Sequence, residues 1–240
     1  MRVLIPAGNG SAVSTVGQQV ILDENELHHL RVRRARDRES VEILDGAGLR
    51  GTGLLIQAGK QWVVEVKALE RESRPPELTL AVAAGDRDRF SWMVEKGVEL
   101  GVTAIVPLET ARSAGVATGL RGAHLRRVRR VALESLKQCG GAWAPQVGEP
   151  VSLEEFLRRP LAGSGWLADR SGAAPPSSVG HEPLTVVIGP EGGLTDTERA
   201  ALVAARYLPV ALGPHTLRFE TAALAAAAAV SLGRIRGSHG

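Results

Sequence analysis

The chain has 240 residues, of which 44% are hydrophobic and 23% are charged, and its formal net charge is +3. This balance is ordinary for a globular protein. The single cysteine, Cys139, excludes a disulfide framework and a zinc site of paired cysteines, so we expect no metal. The N-terminus lacks the apolar stretch of a signal peptide, and the apolar run at 222–232 is about half a membrane span in length. We therefore expect a cytoplasmic protein without membrane contact.

Basic charge is distributed unevenly along the chain. Arginine accounts for 25 of the 29 basic residues, and nine arginines fall in two clusters. The clusters are Arg31, Arg33, Arg34, Arg36 and Arg38, and Arg126, Arg127, Arg129 and Arg130. A planar guanidinium matches phosphate oxygens, so clustered arginines favour a polyanionic partner. A GC-rich or heat-adapted genome would explain the arginine total but not the clustering, and a solvated face is the alternative for the first cluster.

Residues 1–72 have the pattern of strands and turns. Segments 41–44 and 62–66 carry apolar and β-branched residues, and the DGAG sequence at 45–48 between them is a turn signal. Segment 23–34 predicts a short helix with Asp23 or Asn25 near its start. Together these elements predict a small β-barrel. Residues 73–76 end in two prolines and predict a linker, because the residue before a proline favours extended backbone.

Residues 77–240 form a second predicted domain, in which strands alternate with helices. The predicted strands are 78–84, 104–108, 165–169, 184–188 and 210–212, and the predicted helices include 88–100 and 123–138. The first of these strands is a continuous apolar run, as expected of a strand buried on both faces. Such alternation favours an α/β fold with a parallel sheet.

Two glycine-proline loops follow the last two predicted strands. The first loop reads GPEGG at 189–193, and the second begins with Gly213-Pro214. An open parallel sheet binds its ligand at the carboxyl ends of neighbouring strands, so we predict a small-molecule site between these loops. After the first loop, Thr195 and Glu198 have the spacing of a capping box, which predicts a structural role for Glu198.

The chain resembles the ribosomal RNA small subunit methyltransferase E family of the SPOUT class in a series of ordered blocks. They are GPEGG at 189–193 with Glu198, LGPHTLRFETA at 212–222, EKGVELGV at 95–102, ESLKQCG at 134–140, Arg112-Ser113, and HHL at 28–30 with Arg34 and with DG at 45–46. The resemblance implies a PUA-like RNA-binding barrel at 1–72 and a SPOUT domain with a trefoil knot at 77–240. It further implies a homodimer that methylates N3 of one uridine in 16S ribosomal RNA of the small subunit, with S-adenosyl-methionine as the methyl donor.

The resemblance also implies functional residues. Those expected to bind S-adenosyl-methionine are Leu167, Ile188, Gly189, Glu191, Gly193, Leu212, Gly213, Leu217 and Arg218. The chemistry of N3 methylation suggests further roles. Arg218 is expected to stabilise negative charge on the uracil carbonyls or to hold a phosphate. Glu220 is expected to act as the catalytic base, with Glu191 as the other candidate carboxylate and a charge favoured by the helix dipole as the alternative for Glu220. The residues expected to contact RNA are His28, Arg31, Arg33, Arg34, Arg36 and Arg112, and contact with the knot loops is the alternative for Arg112.

Three positions depart from the family pattern. Phe219 stands where threonine is usual, His215-Thr216 where an arginine precedes an aliphatic residue, and Arg38 where glycine is usual in a barrel turn. The roles of these positions are left open, while the expected donor pocket is unaffected.

Two other functions are weighed against the methyltransferase. A non-catalytic ribosome-assembly factor would bind RNA without needing the donor-loop glycines. A dinucleotide-dependent enzyme is suggested by GAGLRG at 46–51, but that pattern requires a following helix where this sequence predicts further strands. We interpret the segment as a hairpin turn.

Overall fold

The computed structural model describes residues 1–5, 13–59, 61–113, 115 and 119–237. The chain divides into two compact units. One unit comprises Met1–Arg74 together with Leu133–Ala144, and the other comprises Pro75–Ala132 together with Pro145–Gly240. The segment Leu133–Ala144, which the predicted division assigns to the second domain, thus clusters with the N-terminal residues.

The first unit contains a five-stranded sheet with the character of a small barrel. Its strands are β1 (Arg2–Leu4), β2 (Gln19–Ile21), β3 (Ser40–Leu44), β4 (Leu49–Ala58) and β5 (Gln61–Arg71). Their order is β1-β3-β4-β5-β2, with β1 parallel to β3 and the other pairs antiparallel. Inward-facing residues of these strands, including Val3, Ile43 and Val64, form the buried core. Alternating burial along β4 is the period-two pattern of a strand with one buried face.

Two local predictions in this unit are confirmed. Helix α1 (Glu24–Val32) begins at Asp23, whose side chain accepts a 2.9 Å hydrogen bond from the backbone N–H of Glu26. The segment at 45–48 is a hairpin turn rather than a dinucleotide loop, because it joins the antiparallel strands β3 and β4. In that turn, Oδ1 of Asp45 accepts hydrogen bonds from the N–H groups of Ala47 and Leu49.

The second unit contains a parallel sheet, as predicted. Its strands are β6 (Leu78–Val82), β7 (Ala104–Glu109), β8 (Gln146–Val147), β9 (Val151–Ser152), β10 (Ser164–Ala173), β11 (Leu184–Ile188) and β12 (Tyr207–Val210). Their order is β12-β10-β11-β6-β7-β8, with β9 pairing β7, and all of these pairs are parallel. The prediction for the last strand was wrong in position, because the strand begins at Tyr207 and ends before the loop at 211–218.

Five helices complete the described elements. They are α2 (Arg87–Glu99), α3 (Gly122–Cys139), α4 (Leu153–Leu157), α5 (Asp196–Ala204) and α6 (Phe219–Gly237). The last helix packs against α2 and against β6 and β11. Its buried face consists largely of alanines, such as Ala223 and Ala226, whose short side chains permit close packing. Among the described residues, no helix combines the length and apolarity needed to cross a membrane.

Candidate methyl-donor site

A cavity of about 300 Å³ lies in the second unit, where β10, β11 and β12 end and the two glycine-proline loops begin. Its volume is at the lower end of the range for small-molecule sites. The structure brings seven of the nine predicted donor-site residues to its wall, namely Ile188, Gly189, Glu191, Gly193, Leu212, Gly213 and Leu217. The cavity therefore occupies the edge of the sheet at which the sequence places a ligand.

The first loop is a tight turn that requires glycine. The N–H of Gly193 donates a 2.8 Å hydrogen bond to the carbonyl of Pro190, and Gly193 has a φ of 71°, in the left-handed region. Directly after it, Thr195 opens α5 with a capping box. The N–H of Glu198 donates to Oγ1 of Thr195 at 3.2 Å, and the N–H of Thr195 donates to Oε2 of Glu198 at 2.8 Å. The predicted capping box is confirmed.

Glu198 has a second partner that local sequence did not indicate. Its Oε1 accepts a 2.8 Å hydrogen bond from the backbone N–H of Ala111, in the loop after β7. Burial raises the pKa of Glu198, but the N–H groups of Thr195 and Ala111 stabilise the carboxylate and bring the pKa below its usual value of 4.5. The neighbouring Arg112 donates from Nη1 to the carbonyl of Gly192. The adjacent residues Ala111 and Arg112 thus contact helix α5 and the first glycine-proline loop, respectively.

Two predicted donor-site residues lie off the cavity wall. Leu167 is 1% exposed and belongs to the hydrophobic core with Val187 and Leu202, while its neighbour Ala168 lines the cavity. Arg218 is exposed at the end of the second loop, between the lining residues Leu217 and Phe219. Its guanidinium makes no hydrogen bond or ion pair with any residue in the described part of the chain.

The two candidate carboxylates have different surroundings. Glu191 is exposed and lines the cavity, and its carboxylate lies so close to Gly85 that any side chain at Gly85 would collide with it. Glu220, in the first turn of α6, is 6% exposed, and its Oε1 lies 3.6 Å from Nη1 of Arg89 on α2. Oε2 of Glu220 is buried without a hydrogen-bond partner. The carboxylate of Glu220 is therefore paired through Oε1, while a buried oxygen without a hydrogen bond, such as Oε2, is costly.

Three charged residues on the cavity wall were not predicted from the sequence, namely Asp169, Arg170 and Arg199. Arg199 donates from Nε to Oδ2 of Asp169 at 2.5 Å and from Nη2 to Oγ of Ser171 at 2.7 Å. Burial raises the pKa of Asp169, but hydrogen bonds from Ser171 and Arg199 outweigh it and lower the net pKa below 3.8. The position of Asp169 at a predicted strand end, next to a loop-bearing strand, was the available signal for this group.

The predicted RNA-binding residues lie in both units. In the first unit, His28, Arg31, Arg33, Arg34 and Arg36 are exposed on α1 and the turn that follows it. Arg34 and Arg38 have φ angles of 51° and 62°, in the left-handed region that glycine adopts more readily. Arg112, in the second unit, is also exposed. Among the described residues, no group of three metal-ligating side chains occurs.

Comparison with known proteins defines the class of this protein. The family model of the RNA methyltransferase domain matches residues 72–231, which include the whole sheet and both loops of the cavity. The ribosomal RNA small subunit methyltransferase E of Synechocystis sp. is 30% identical over 226 residues, covering 88% of this chain and 72% of the relative. The protein of that name from Mycobacterium tuberculosis is 30% identical over 229 residues, covering 90% of this chain and 87% of the relative.

A solved structure agrees with the sequence relatives. The ribosomal RNA small subunit methyltransferase E of Neisseria gonorrhoeae, bound to S-adenosyl methionine, has a TM-score of 0.82 and 30% identity, with 95% of each chain covered. The fold and the cavity thus define an RNA methyltransferase. The chain belongs to the ribosomal RNA small subunit methyltransferase E family, and the resemblance drawn from the loop motifs is confirmed.

Proposed function

We propose that this protein transfers the methyl group of S-adenosyl-methionine to N3 of a specific uridine in 16S ribosomal RNA of the small subunit. The observation that carries the proposal is the cavity between the two glycine-proline loops, in a chain of this methyltransferase family. The structure of the relative from Neisseria gonorrhoeae, which aligns with 95% of this chain at 30% identity, has S-adenosyl methionine bound.

The cavity wall suits the chemistry of S-adenosyl-methionine. Ile188, Leu212 and Leu217 supply apolar surface for a nucleobase, and the glycines of both loops let backbone groups approach a ligand closely. The donor also carries a positively charged sulfonium, an ammonium and a carboxylate. Glu191 offers a negative charge at the cavity, and the Asp169–Arg199 pair offers groups of both signs. These residues would hold the cofactor, which supplies the methyl group.

The residues expected to carry the chemistry lie at the start of α6. N3 methylation requires loss of the N3 proton, and the proposal assigns Glu220 as the proton acceptor, because its Oε2 has no other partner. Glu220 is buried and does not line the cavity, whereas Glu191 does, so Glu191 is the alternative proton acceptor. The exposed guanidinium of Arg218 is assigned to the uracil carbonyls, where it would stabilise negative charge as the proton leaves. Positioning of the base against the donor supplies the rest of the rate enhancement.

We also propose an architecture and a location for the protein. We assign residues 1–72 to a PUA-like RNA-binding domain, 73–76 to a linker and 77–240 to a knotted SPOUT domain that acts in the cytoplasm as a homodimer. After β12, at the sheet edge, the chain passes the second loop and returns in α6 to pack on the central strands β6 and β11. Unknotted sheets also have such a return, and general rules disfavour knots, so the knot is proposed on the family resemblance.

Phosphate contacts would come from the predicted basic residues. His28, Arg31, Arg33, Arg34 and Arg36 are proposed to bind the RNA backbone from the first unit, and Arg112 from the second. Contacts of this kind position the RNA but do not read its sequence.

The first test is S-adenosyl-methionine binding, measured by calorimetry on wild type and on Gly193→Trp. Gly193 lines the cavity, so a tryptophan there should fill it and abolish binding. Gly101→Trp is the matched control, because Gly101 also has a positive φ, of 77°, but open space around it. We expect wild type and the control to bind and Gly193→Trp not to bind. Folded wild-type dimer that binds no donor, with or without RNA, would favour the ribosome-assembly factor instead.

The second test identifies the product. Wild type, Glu220→Gln and Glu191→Gln are incubated with S-adenosyl-methionine and small ribosomal subunits, and the 16S ribosomal RNA is then mapped by reverse transcription and mass spectrometry. A methyl group on N3 blocks the pairing edge of uracil, so it should stop the transcriptase at one position. Loss of methylation in Glu220→Gln, with donor binding retained, supports the assigned base. Loss in Glu191→Gln alone would transfer the role to Glu191.

A further inference from the structure

The arginines of α3 are not all used in the same way. Arg121, just before the helix, donates from Nη2 to Oε1 of Glu109 at 2.7 Å. Arg129 donates from Nε to the carbonyl of Val147 at 2.9 Å and pairs with Glu149 at 3.3 Å. By contrast, Arg126, Arg127 and Arg130 are exposed, and the described part of the chain offers them no ion pair or side-chain hydrogen bond. We name these three residues the α3 basic face.

The three side chains share one face of the helix. The buried stripe of α3 consists of Leu125, Val128, Ala132 and Leu136, at the three- and four-residue spacing of a helical repeat. Arg126 and Arg130 are four residues apart, and Arg127 and Arg130 are three apart, so both pairs are neighbours on the helix surface. At 100° per residue, the three arginines lie on the side opposite the buried stripe. They therefore form one continuous cationic surface that faces solvent.

This arrangement works against the stability of the helix. Like charges at three- and four-residue spacing on a helix repel each other. The first turn of α3 carries no acidic residue, whereas each of the other five helices named above has at least one acid there. The acidic residue of α3, Glu134, has other partners, because its carboxylate lies 3.2 Å from Nζ of Lys137 and 3.2 Å from Nε2 of His29. A charge pattern that opposes local stability indicates a functional site.

We propose that the α3 basic face binds the phosphate backbone of the ribosomal RNA substrate, as a second RNA-binding surface in addition to the predicted cluster at Arg31–Arg38. Arginine is suited to this task, because its guanidinium can donate two parallel hydrogen bonds to a phosphate. The inference rests on the proposed function, since it requires an RNA substrate. It adds a second RNA contact of the methyltransferase unit, besides the one proposed at Arg112, and this contact does not involve residues 1–74.

The test compares the salt dependence of RNA binding in two triple variants. R126Q/R127Q/R130Q removes the face, and R158Q/R159Q/R236Q removes the same charge from exposed arginines elsewhere in the same unit. The probe is 16S ribosomal RNA transcribed in vitro. Each lost phosphate contact reduces the magnitude of the slope of log affinity against log salt by about 0.7 to 0.9, so the face variant, which loses three arginines, should lose about two to three. The control should keep most of the wild-type slope.

Two further readouts separate a binding role from a structural one. Donor binding by calorimetry should be unchanged in both variants, because neither touches the cavity. The melting temperature of the face variant should be equal to or above that of wild type, because repulsion has been removed. Weaker RNA binding together with undiminished stability supports the proposal.

The outcomes that overturn the inference are distinct from those that overturn the proposed function. A face variant that keeps the wild-type slope and affinity shows that the face is only solvated, and the proposed function stands. Equal losses in both triple variants show that net charge matters and the α3 basic face does not. Wild-type protein that binds neither free 16S ribosomal RNA nor small subunits overturns both proposals together.

Discussion

The backbone N–H of Ala111 donates a hydrogen bond to the carboxylate of Glu198 across 87 positions of sequence, at 2.8 Å. The same carboxylate closes the capping box of α5 with Thr195. One side chain therefore serves both a local helix start and a long-range loop contact beside the cavity. Its removal affects both.

We expect Glu198→Ala to lower the free energy of unfolding by about 1–2 kcal/mol, since a lost cap costs about that much and the Ala111 N–H also loses its acceptor. Urea denaturation followed by circular dichroism measures the change. Glu154→Ala is the control, because Glu154 is an acid in the first turn of α4 whose ion pair with Arg158 is highly exposed. Its effect should stay within about 0.5 kcal/mol. Equal losses in the two variants would contradict a special role for Glu198.

Stability should fall in acid for an identifiable reason. The native pKa values of Glu198 and Asp169 lie below 4.5 and 3.8, their values in the unfolded chain, because hydrogen bonds favour both carboxylates. The native state then binds fewer protons than the unfolded state, so this contribution is complete above about pH 4.5 and is lost as the pH falls through the native values. Burial raises the pKa of Glu26, so the contribution of Glu26 to the pH dependence of stability has the opposite sign. The effect of Glu198 is therefore measured by comparing wild type with Glu198→Ala. Denaturation between neutral and acid pH should show a shallower pH dependence in Glu198→Ala than in wild type.

Arg112 has two candidate roles, to hold the first glycine-proline loop and to contact RNA, and one variant distinguishes them. Its guanidinium donates to the carbonyl of Gly192, so Arg112→Gln should loosen the first loop and weaken donor binding by about tenfold, through lost preorganisation. Calorimetry with S-adenosyl-methionine measures this, with Arg170→Gln as a control on the cavity wall that lacks a described bond to the loop. Unchanged donor affinity with weaker RNA binding would instead support the predicted RNA contact alone.

The pair of Arg89 and Glu220 should behave as a coupled unit. Arg89→Gln leaves a buried carboxylate without its cation and should cost about 1–3 kcal/mol. Glu220→Gln removes the charge and should cost less, and the double variant should be more stable than Arg89→Gln. A double-mutant cycle by urea denaturation gives the coupling energy. Strictly additive effects would show that the 3.6 Å contact does not stabilise the native state.

Arg38→Gly should stabilise the first unit, because Arg38 has a φ of 62°, which costs a residue with a side chain about 1–2 kcal/mol. The greater flexibility of glycine in the unfolded chain offsets part of this, so we expect a gain of about 0.5–1 kcal/mol. Thermal unfolding measures it. Arg36→Gly, an exposed neighbour without a positive φ, should be neutral or destabilising. A loss of stability in Arg38→Gly would show that the side chain makes a contribution larger than the strain.

Local sequence signals predicted the regular elements well. The strand predicted at 184–188 matches Leu184–Ile188, and the helix predicted at 123–138 lies within one residue of Gly122–Cys139 at each end. These elements depend on the periodicity of neighbouring residues and on caps such as Asp23 and Thr195, which are local. The last strand was misplaced, because the burial of Tyr207 comes from packing against Phe156, which lies far away in sequence.

The sequence by itself determined the two loops, the parallel sheet and the family. Only the tertiary structure decided which charges are buried and which groups face the cavity. It buried Glu220 beside Arg89, aimed Arg112 at Gly192, brought Asp169 and Arg199 to the cavity wall and left the α3 basic face unpaired. The physical reason is that burial and ion pairing depend on distances between residues far apart in the chain. Sheet order sets those distances, and no local pattern records them.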